Sequence, residues 1–433
     1  MDYKYILKDL FFAGLKSVDP YTGVKNYIGE VLSEYKTGKY ETLLTIGFGK
    51  AAYQMALAVE ESLGDLLTNG LVITKYGHGG TLKNIKIEEA AHPIPDENGL
   101  KATNRMIELL KKNATEKKLV LCLISGGGSA LLVAPYKGIT LEEKKDVTKL
   151  LLKAGADIEE LNTVRKHISR VKGGRLAEHC YPARIISFIL SDVIGDHLET
   201  IASGPTAPDE TTYKHALTVL KKFNLFKKVS PSVLDLLRKG EKGIIPETLK
   251  KDNPVFKKVT NIIVGNNKKA LQAIKHQAVK LGFNAQIISA ELSGEAREVA
   301  KSLANLALKT QKTSPNLPLF LISGGETTVT VKGPGIGGRN TELALAFALE
   351  IAGKKGITLL SAGSDGTDGP TDAAGAIVNG DTVHKAKDLG LDPERFLENN
   401  DSYNFFKKTG GLFITGPTGT NVMDIQIIVV DSP

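Results

Sequence analysis

Several short stretches of this chain combine glycines, cations and carboxylates in ways that could do chemistry. The first is Gly47-Phe48-Gly49-Lys50-Ala51-Ala52. It fits G-x-G-x-x-[GA] at a predicted strand-to-helix turn, the pattern that lets a backbone approach a pyrophosphate. An NAD site also wants an acid about 20 residues further on, at the end of the second strand. Lys75 stands near that position instead, which argues against NAD and leaves room only for an NADP-type site. Lys50 is the more informative residue. A lysine in the first turn of a helix opposes the helix dipole, but it complements an anion held on the turn's N–H groups. The alternative is a surface lysine turned into solvent.

Ser125-Gly126-Gly127-Gly128-Ser129-Ala130 follows an apolar strand. Three glycines let a backbone wrap an oxyanion, and Ser125 and Ser129 add two hydroxyl donors. The Gly-Lys-Ser/Thr ending of a Walker loop is missing. Phosphate or carboxylate binding is expected here, with a bare turn as the alternative. Arg165 and Lys166, in Leu161-Asn162-Thr163-Val164-Arg165-Lys166-His167, lie close in sequence to Lys172-Gly173-Gly174-Arg175. They could clamp a phosphate or carboxylate, or form a solvated helix face. His167 reads as a hydrogen-bonded structural histidine.

Ser191-Asp192-Val193-Ile194-Gly195-Asp196 directly follows another strand. Phosphoryl transfer needs a metal on the phosphates and often a carboxylate that orients the attacking hydroxyl. Asp192 is a candidate for base or metal ligand and Asp196 for metal ligand, against a turn-forming or capping role. Further on, Gly337-Gly338-Arg339-Asn340 opens an apolar helix. Gly337 and Gly338 allow close approach, Asn340 adds a polar group, and Arg339 at the helix start again points to a bound anion. Asp365, Asp368 and Asp372 follow a strand within eight residues and could hold Mg²⁺ or form an acidic turn network. The spacing is not that of an EF-hand. Thr415–Asn421 reads as a polar turn.

Positioning these loops requires strands that end where the loops begin. Short aliphatic strands are predicted at 42–46, 70–75, 119–124 and 183–190, with helices at 50–63, 99–113 and 141–154. A second series starts with a strand at 259–264 and continues with a helix at 268–281 and strands at 284–289, 317–322, 357–361 and 424–430. The alternation predicts an α/β protein with mostly parallel sheets. We expect two domains, 1–235 and 236–433, with residues 1–36 a helical arm that packs on one of them. Leu-Val-Leu-Cys-Leu-Ile-Ser-Gly-Gly at 119–127 is echoed by Leu-Pro-Leu-Phe-Leu-Ile-Ser-Gly-Gly at 317–325, so each domain is expected to end one strand in Ser-Gly-Gly.

The 433 residues carry a formal charge of +8. Residues 214–258 hold twelve Lys/Arg and four Asp/Glu, which accounts for the whole excess. This stretch, with three prolines, is expected to be a solvated inter-domain surface, so the charge does not mark a nucleic-acid partner. Glycine is the compositional outlier at 44 residues, eighteen of them in 324–419, which predicts a loop-rich second domain. Two cysteines, Cys122 and Cys180, make no disulfide framework or zinc motif. No stretch is long and apolar enough for a membrane span, and the N-terminal residues do not read as a signal peptide. The cytoplasm is the expected compartment.

Taken in order, GFGKAA, ISGGGSALL, LNTVRKHIS with KGGRLA, SDVIGD, ASGPT, GGRNTELAL, SAGSDGTDGPTDAAGA and TGPTGTN resemble the class II glycerate kinases, the MOFRL family. The resemblance spans residues 45–425. It implies a Rossmann-like three-layer first domain with a mostly parallel sheet, a glycine-rich second domain with a mixed sheet, and a cleft between them. It also implies ATP-dependent phosphorylation of D-glycerate at its 2-hydroxyl with Mg²⁺, and Lys50 and Arg339 as the main cations. Met423 and Gln426 are less polar than the family pattern in the last motif. A homodimer is the assembly considered, with no membrane or nucleic-acid partner. The rival readings are an NAD(P)-dependent hydroxypyruvate reductase and a non-catalytic sugar-acid or nucleotide sensor.

Overall fold

The computed structural model describes residues 3–433. The chain divides into two compact units, one of residues 20–191 and 196–264, the other of residues 3–19, 192–195 and 265–433. The sequence reading placed the division at 235/236; here the last crossing falls at 264/265.

The first unit is built on β1 (Thr42–Phe48), β2 (Leu67–Lys75), β3 (Ile85–Ala90), β4 (Lys118–Ile124), β5 (Arg184–Leu190) and β6 (Val259–Gly265). Their order in the sheet is β3-β2-β1-β4-β5-β6. The pairs β3–β2, β2–β1, β1–β4 and β4–β5 are parallel. β1, β4 and β5 are buried along nearly their whole length, which is why they read as unbroken aliphatic runs rather than alternating ones. The order reverses between β1 and β4. In open α/β sheets that switch point is where ligands bind, and the loops leaving it are residues 49–51 and 125–129.

β6 corrects the sequence reading, which gave strand 259–264 to the second domain. It lies at the edge of the first sheet, where its mostly half-buried pattern suits an edge strand. The basic stretch at 214–258 belongs to the first unit. Helices Tyr213–Lys222 and Pro231–Glu241 bury Tyr213, Leu220, Val233 and Leu237 in one cluster with Val164 of helix Ile158–His167 and Ile168 just after it.

The second unit is built on β7 (Asn284–Glu295), β8 (Leu319–Thr328), β9 (Ile357–Gly363), β10 (Gly375–Asn379), β11 (Leu412–Phe413) and β12 (Asp424–Val430). The order is β11-β10-β9-β12-β8-β7. β7 and β8 are parallel, and the other neighbours are antiparallel, so the sheet is mixed as expected. β12 is buried at every position between β8 and β9. β3, β10 and β11 were absent from the sequence reading. β3 reads Ile-Lys-Ile-Glu-Glu-Ala, half of it charged, and β11 is two residues long.

The Ser-Gly-Gly echo is not repeated in structure. β4 ends at Ile124, before Ser125, but β8 runs on through Ser323-Gly324-Gly325 to Thr328, paired with the long β7. Gly324 makes room for Asn267, whose Oδ1 would stand 2.2 Å from an added Cβ. The helical arm is shared out. Helix Lys4–Ser17 belongs to the second unit, where Gly14 lets it approach Ile274 of helix Asn267–Lys280. Helices Pro20–Lys25 and Ile28–Thr37 belong to the first.

Gly49 has φ 130°, and a Cβ there would fall 2.1 Å from Ser125 Oγ and 2.6 Å from its carbonyl oxygen. Left-handed strain and a backbone clash each cost about 1–3 kcal/mol. Gly49→Ala is therefore expected to lower stability by at least ~2 kcal/mol, read as a lower urea midpoint. An unchanged midpoint would show that the two loops part without cost.

Candidate active site

At the switch point the two loops are bonded to each other. Ser125 N donates to Phe48 O at 3.2 Å, and Lys50 N to Gly126 O at 2.8 Å. Ala51 N donates to Ser125 Oγ at 3.1 Å, so that hydroxyl is committed to the junction. The helix after β1 begins at Ala52, which places Lys50 on the turn before it rather than in its first turn. The side chain of Lys50 runs past Gly127. An added Cβ on Gly127 would stand 3.2 Å from Lys50 Cγ and 2.9 Å from the His92 ring. His92, which follows β3, was missed by the sequence reading. Burial and the charges of Lys50, Lys75 and His78 push its pKa down to about 4. No carboxylate pairs with Lys50 among the described residues.

Gly128–Leu131 is a helix of only four residues. It holds Ser129 over a second junction, made by two further motifs. Lys172, fully buried, donates from Nζ to Ser129 O and Oγ, both at 2.9 Å, and to Ala202 O at 3.2 Å. Ser129 Oγ lies 2.9 Å from Ser203 Oγ, which donates to Asn162 Oδ1 at 3.0 Å. Gly173 N and Gly174 N donate to Ser203 O and Gly204 O. Ala202 and Ser203 have φ values of 51° and 64°, two adjacent non-glycine residues in the left-handed region. Such strain collects at functional sites.

Of the predicted basic clamp, Arg165 and Lys166 part company. Lys166 is 5% exposed and bonded to the buried Asp209 at 3.2 Å. Its charge is spent inside the unit, which corrects its assignment to substrate. Arg165 is half-buried, and its guanidinium has no carboxylate partner among the described residues. Burial pulls its pKa down to about 10. Lys144, at 4% exposure, donates to Arg165 O at 3.4 Å. Burial and the charges of Arg165 and Arg175 bring its pKa to about 7. His167 is structural as read, with Nδ1 2.7 Å from Thr163 O and Nε2 3.2 Å from Glu247.

The second unit treats its cation differently. Arg339 opens helix Arg339–Glu350. Its Nε and Nη2 reach Asp424 Oδ2 and Oδ1 at 2.6 and 3.0 Å, and Nη1 reaches Glu326 at 2.8 Å. Asp424 is the first residue of β12, opposite Gly325 of β8 and Gly363 of β9. Burial pushes its carboxyl up to about 6, against the pull of Arg339. Neither acid was identified from sequence. An aspartate opening an otherwise apolar buried strand was the available signal.

Asp368 corrects another expectation. Its Oδ1 accepts from Asn340 N at 2.9 Å and its Oδ2 from Thr341 N at 2.8 Å and Thr341 Oγ1 at 2.7 Å. It caps the helix with both oxygens, so it is not free to serve as a metal ligand. Gly338 and Gly337 are small because Asp368 and Ser402 pack against them, at 2.4 and 2.3 Å from an added Cβ. Asn340 is 1% exposed, and its Oδ1 accepts from Ser361 at 2.8 Å; it positions the helix rather than facing a ligand. Asp365 accepts from Thr367 N and Oγ1 in a local turn. Asp192 is half-buried just beyond β5, and Asp196 sits at φ 54°. Among the described residues no three His, Cys, Asp or Glu gather as a metal site.

Comparison with known proteins is consistent with this architecture. Residues 6–238 match the domain of unknown function DUF4147 and residues 319–424 the MOFRL family. A relative from Thermotoga maritima named D-glycerate 2-kinase is 48% identical over 89% of this chain and 90% of its own. One from Pyrococcus horikoshii named glycerate 2-kinase is 42% identical over 100% and 98%. An Agrobacterium vitis relative at 40% identity, over 89% and 99%, carries the name putative hydroxypyruvate reductase. A crystal structure of glycerate kinase from Thermotoga maritima superposes with a TM-score of 0.88 at 45% identity, covering 98% of both chains.

Lys50 stands among the causes of the low His92 pKa. In an NMR titration His92 is expected to stay neutral from pH 8 down to about 5, since its protonation is displaced to about 4. Lys50→Met removes one repelling charge and is expected to move that titration upward. A midpoint unchanged by the substitution would separate the two side chains.

Proposed function

The chain belongs to the MOFRL family of glycerate kinases, and from that premise we infer that it is a glycerate 2-kinase. It transfers the γ-phosphoryl group of ATP to the 2-hydroxyl of D-glycerate, giving 2-phosphoglycerate and ADP. The observation that carries the site assignment is a charge imbalance at the switch point. Lys50 lies beside Gly127, Arg165 is near enough for its charge to act on Lys172, and neither has a carboxylate partner among the described residues. Uncompensated cations are costly in a part-buried setting, and an anionic substrate supplies the missing countercharge. Both substrates are anions.

Within this reading Lys50 stabilises charge on the transferring group, as cationic clamps do. Arg165 receives a carboxylate or phosphate, and the 126–129 loop shapes the space beside them. Arg339 is the corresponding cation of the second unit. Asp424 fixes its fork from the buried side, and Glu326, 46% exposed, occupies the Nη1 position that a substrate anion would take over. Asp192 is retained as a candidate for orienting the hydroxyl. Mg²⁺ enters with the nucleotide, since it is commonly held largely by substrate phosphates. The predicted set Asp365, Asp368 and Asp196 does not fit a resident magnesium site, because Asp368 is spent on the helix and no three such ligands gather among the described residues. A cytoplasmic setting is supported by the two free, buried thiols Cys122 and Cys180.

The test is an ADP-release assay with D-glycerate, run beside NAD(P)H absorbance with hydroxypyruvate, and a product analysis separating 2- from 3-phosphoglycerate. ADP and 2-phosphoglycerate are expected; NAD(P)H oxidation without ADP would favour the reductase reading. Lys50→Ala and Arg339→Ala are each expected to lower kcat/KM at least ~100-fold, the scale of one electrostatic stabiliser. Asp424→Asn leaves Arg339 charged but less firmly held. We expect about a tenfold loss of kcat/KM, corresponding to ~1.4 kcal/mol, and wild-type turnover would remove Asp424 from the site.

A further inference from the structure

Lys172 has no evident need to be a lysine if its work is only to fill space. It is fully buried, its three acceptors are uncharged oxygens, and no carboxylate pairs with it among the described residues. An ammonium held in that way gives up its hydration for hydrogen bonds alone, and such lysines tend to lose their proton. The neighbouring charges push the same way. Arg165 from helix Ile158–His167 and Lys144 from helix Leu141–Lys153 act with burial to hold Lys172 well below the ordinary lysine range.

One of the three acceptors is itself a hydroxyl. Ser129 Oγ lies 2.9 Å from Lys172 Nζ and 2.9 Å from Ser203 Oγ. Of these three residues only Ser129 is partly exposed; Lys172 and Ser203 are buried. Ser203 is in turn directed onto Asn162 Oδ1, and the left-handed backbone at Ala202 and Ser203 holds the Ala202 carbonyl on Nζ. A lone pair on Lys172 thus has one route toward solvent, through the Ser129 hydroxyl.

We propose that Ser129 and Lys172 form the proton-accepting pair of the phosphoryl transfer, with Ser129 touching the attacking hydroxyl and Lys172 acting through it. The proposal rests on the kinase reading above. The glycerate oxygen forms its bond to the γ-phosphorus as the bond from phosphorus to the bridging oxygen of ADP breaks, and ADP keeps that electron pair. The glycerate hydroxyl proton passes to Ser129 Oγ. The proton Ser129 already carried passes to Lys172 Nζ, which becomes an ammonium donating to Ser129 O, Ser129 Oγ and Ala202 O. After product leaves, the same hydroxyl returns the proton to water.

Steady-state kinetics of Lys172→Met, Lys172→Arg and Ser129→Ala test this, with circular dichroism confirming the fold. Methionine keeps the length and suits a buried site; arginine keeps the charge but offers no lone pair; Ser129→Ala is a small change that serves if a Lys172 variant fails to fold. Each folded variant is expected to lose kcat by about 100-fold, the lower range for a positioned acid or base, with KM for both substrates within about threefold. The kcat–pH profile of the wild type is expected to fall on the acid side as Lys172 is protonated. That limb should survive Asp424→Asn and vanish in Lys172→Met. A folded Lys172→Met or Ser129→Ala enzyme with kcat within threefold of wild type overturns the pair, as does a lowered kcat with the wild-type pH profile. Absence of ADP formation by the wild type overturns the kinase reading and the pair together, whereas wild-type turnover with unimpaired variants overturns the pair alone.

Discussion

The junction between the turns after β1 and β4 is the constraint on which the first unit's chemistry depends. Gly49 has no side chain, so Ser125 can come within bonding distance of the next turn. That contact places the backbone of Lys50 on Gly126, and it fixes where the 125–129 loop leaves the sheet. Ser129 then falls onto Lys172, and Lys172 joins the loop to the Ala202–Ser203 turn. The links are backbone or serine contacts, apart from the buried Lys172 side chain, which three acceptors hold. Sites built on such links are held more firmly than sites on long loops.

The two units handle positive charge in opposite ways. In the first, Lys144, Arg165 and Lys172, unlike Lys166, have no carboxylate partner among the described residues, and burial pulls their proton affinities down. In the second, Arg339 is clasped by one buried and one exposed carboxylate. The first arrangement favours a ligand that brings negative charge. The second favours a guanidinium whose position is set in advance and whose outer partner is exchangeable.

The sheet of the first unit was largely legible, because β1, β4 and β5 are buried on both faces and show it as aliphatic runs. Several glycine motifs marked loops, but Gly324 and Gly325 lie inside β8, and the reasons for the glycines were not visible. Gly337 and Gly338 leave room for Asp368 and Ser402, contacts between residues about 30 and 65 positions apart that spacing along the chain does not reveal. Asp368 looked like a ligand because it lies in an acidic loop, and only its distance to Asn340 and Thr341 shows it to be a cap. Lys166 and Arg165 are adjacent in sequence, yet helical geometry sends one to Asp209 and leaves the other without an acid. Lys172, Ser203 and Asn162 lie in separate sequence motifs, and spacing does not show that Lys172 and Ser203 meet on the Ser129 hydroxyl while Asn162 accepts from Ser203.

The position of β12 has a consequence for the order in which the molecule can be assembled during synthesis. β12 follows every other strand of the second sheet in sequence and fills its middle, between β8 and β9. Until it emerges, that sheet is two separate halves with open edges. Helix Lys4–Ser17 belongs to the same unit, and most of its partners there begin at residue 265. Residues 20–264 supply nearly all of the other unit and can pack while the rest is still being translated, as domains generally fold as units. The first unit can thus be packed while the helix that precedes it in sequence still lacks the sheet it belongs with.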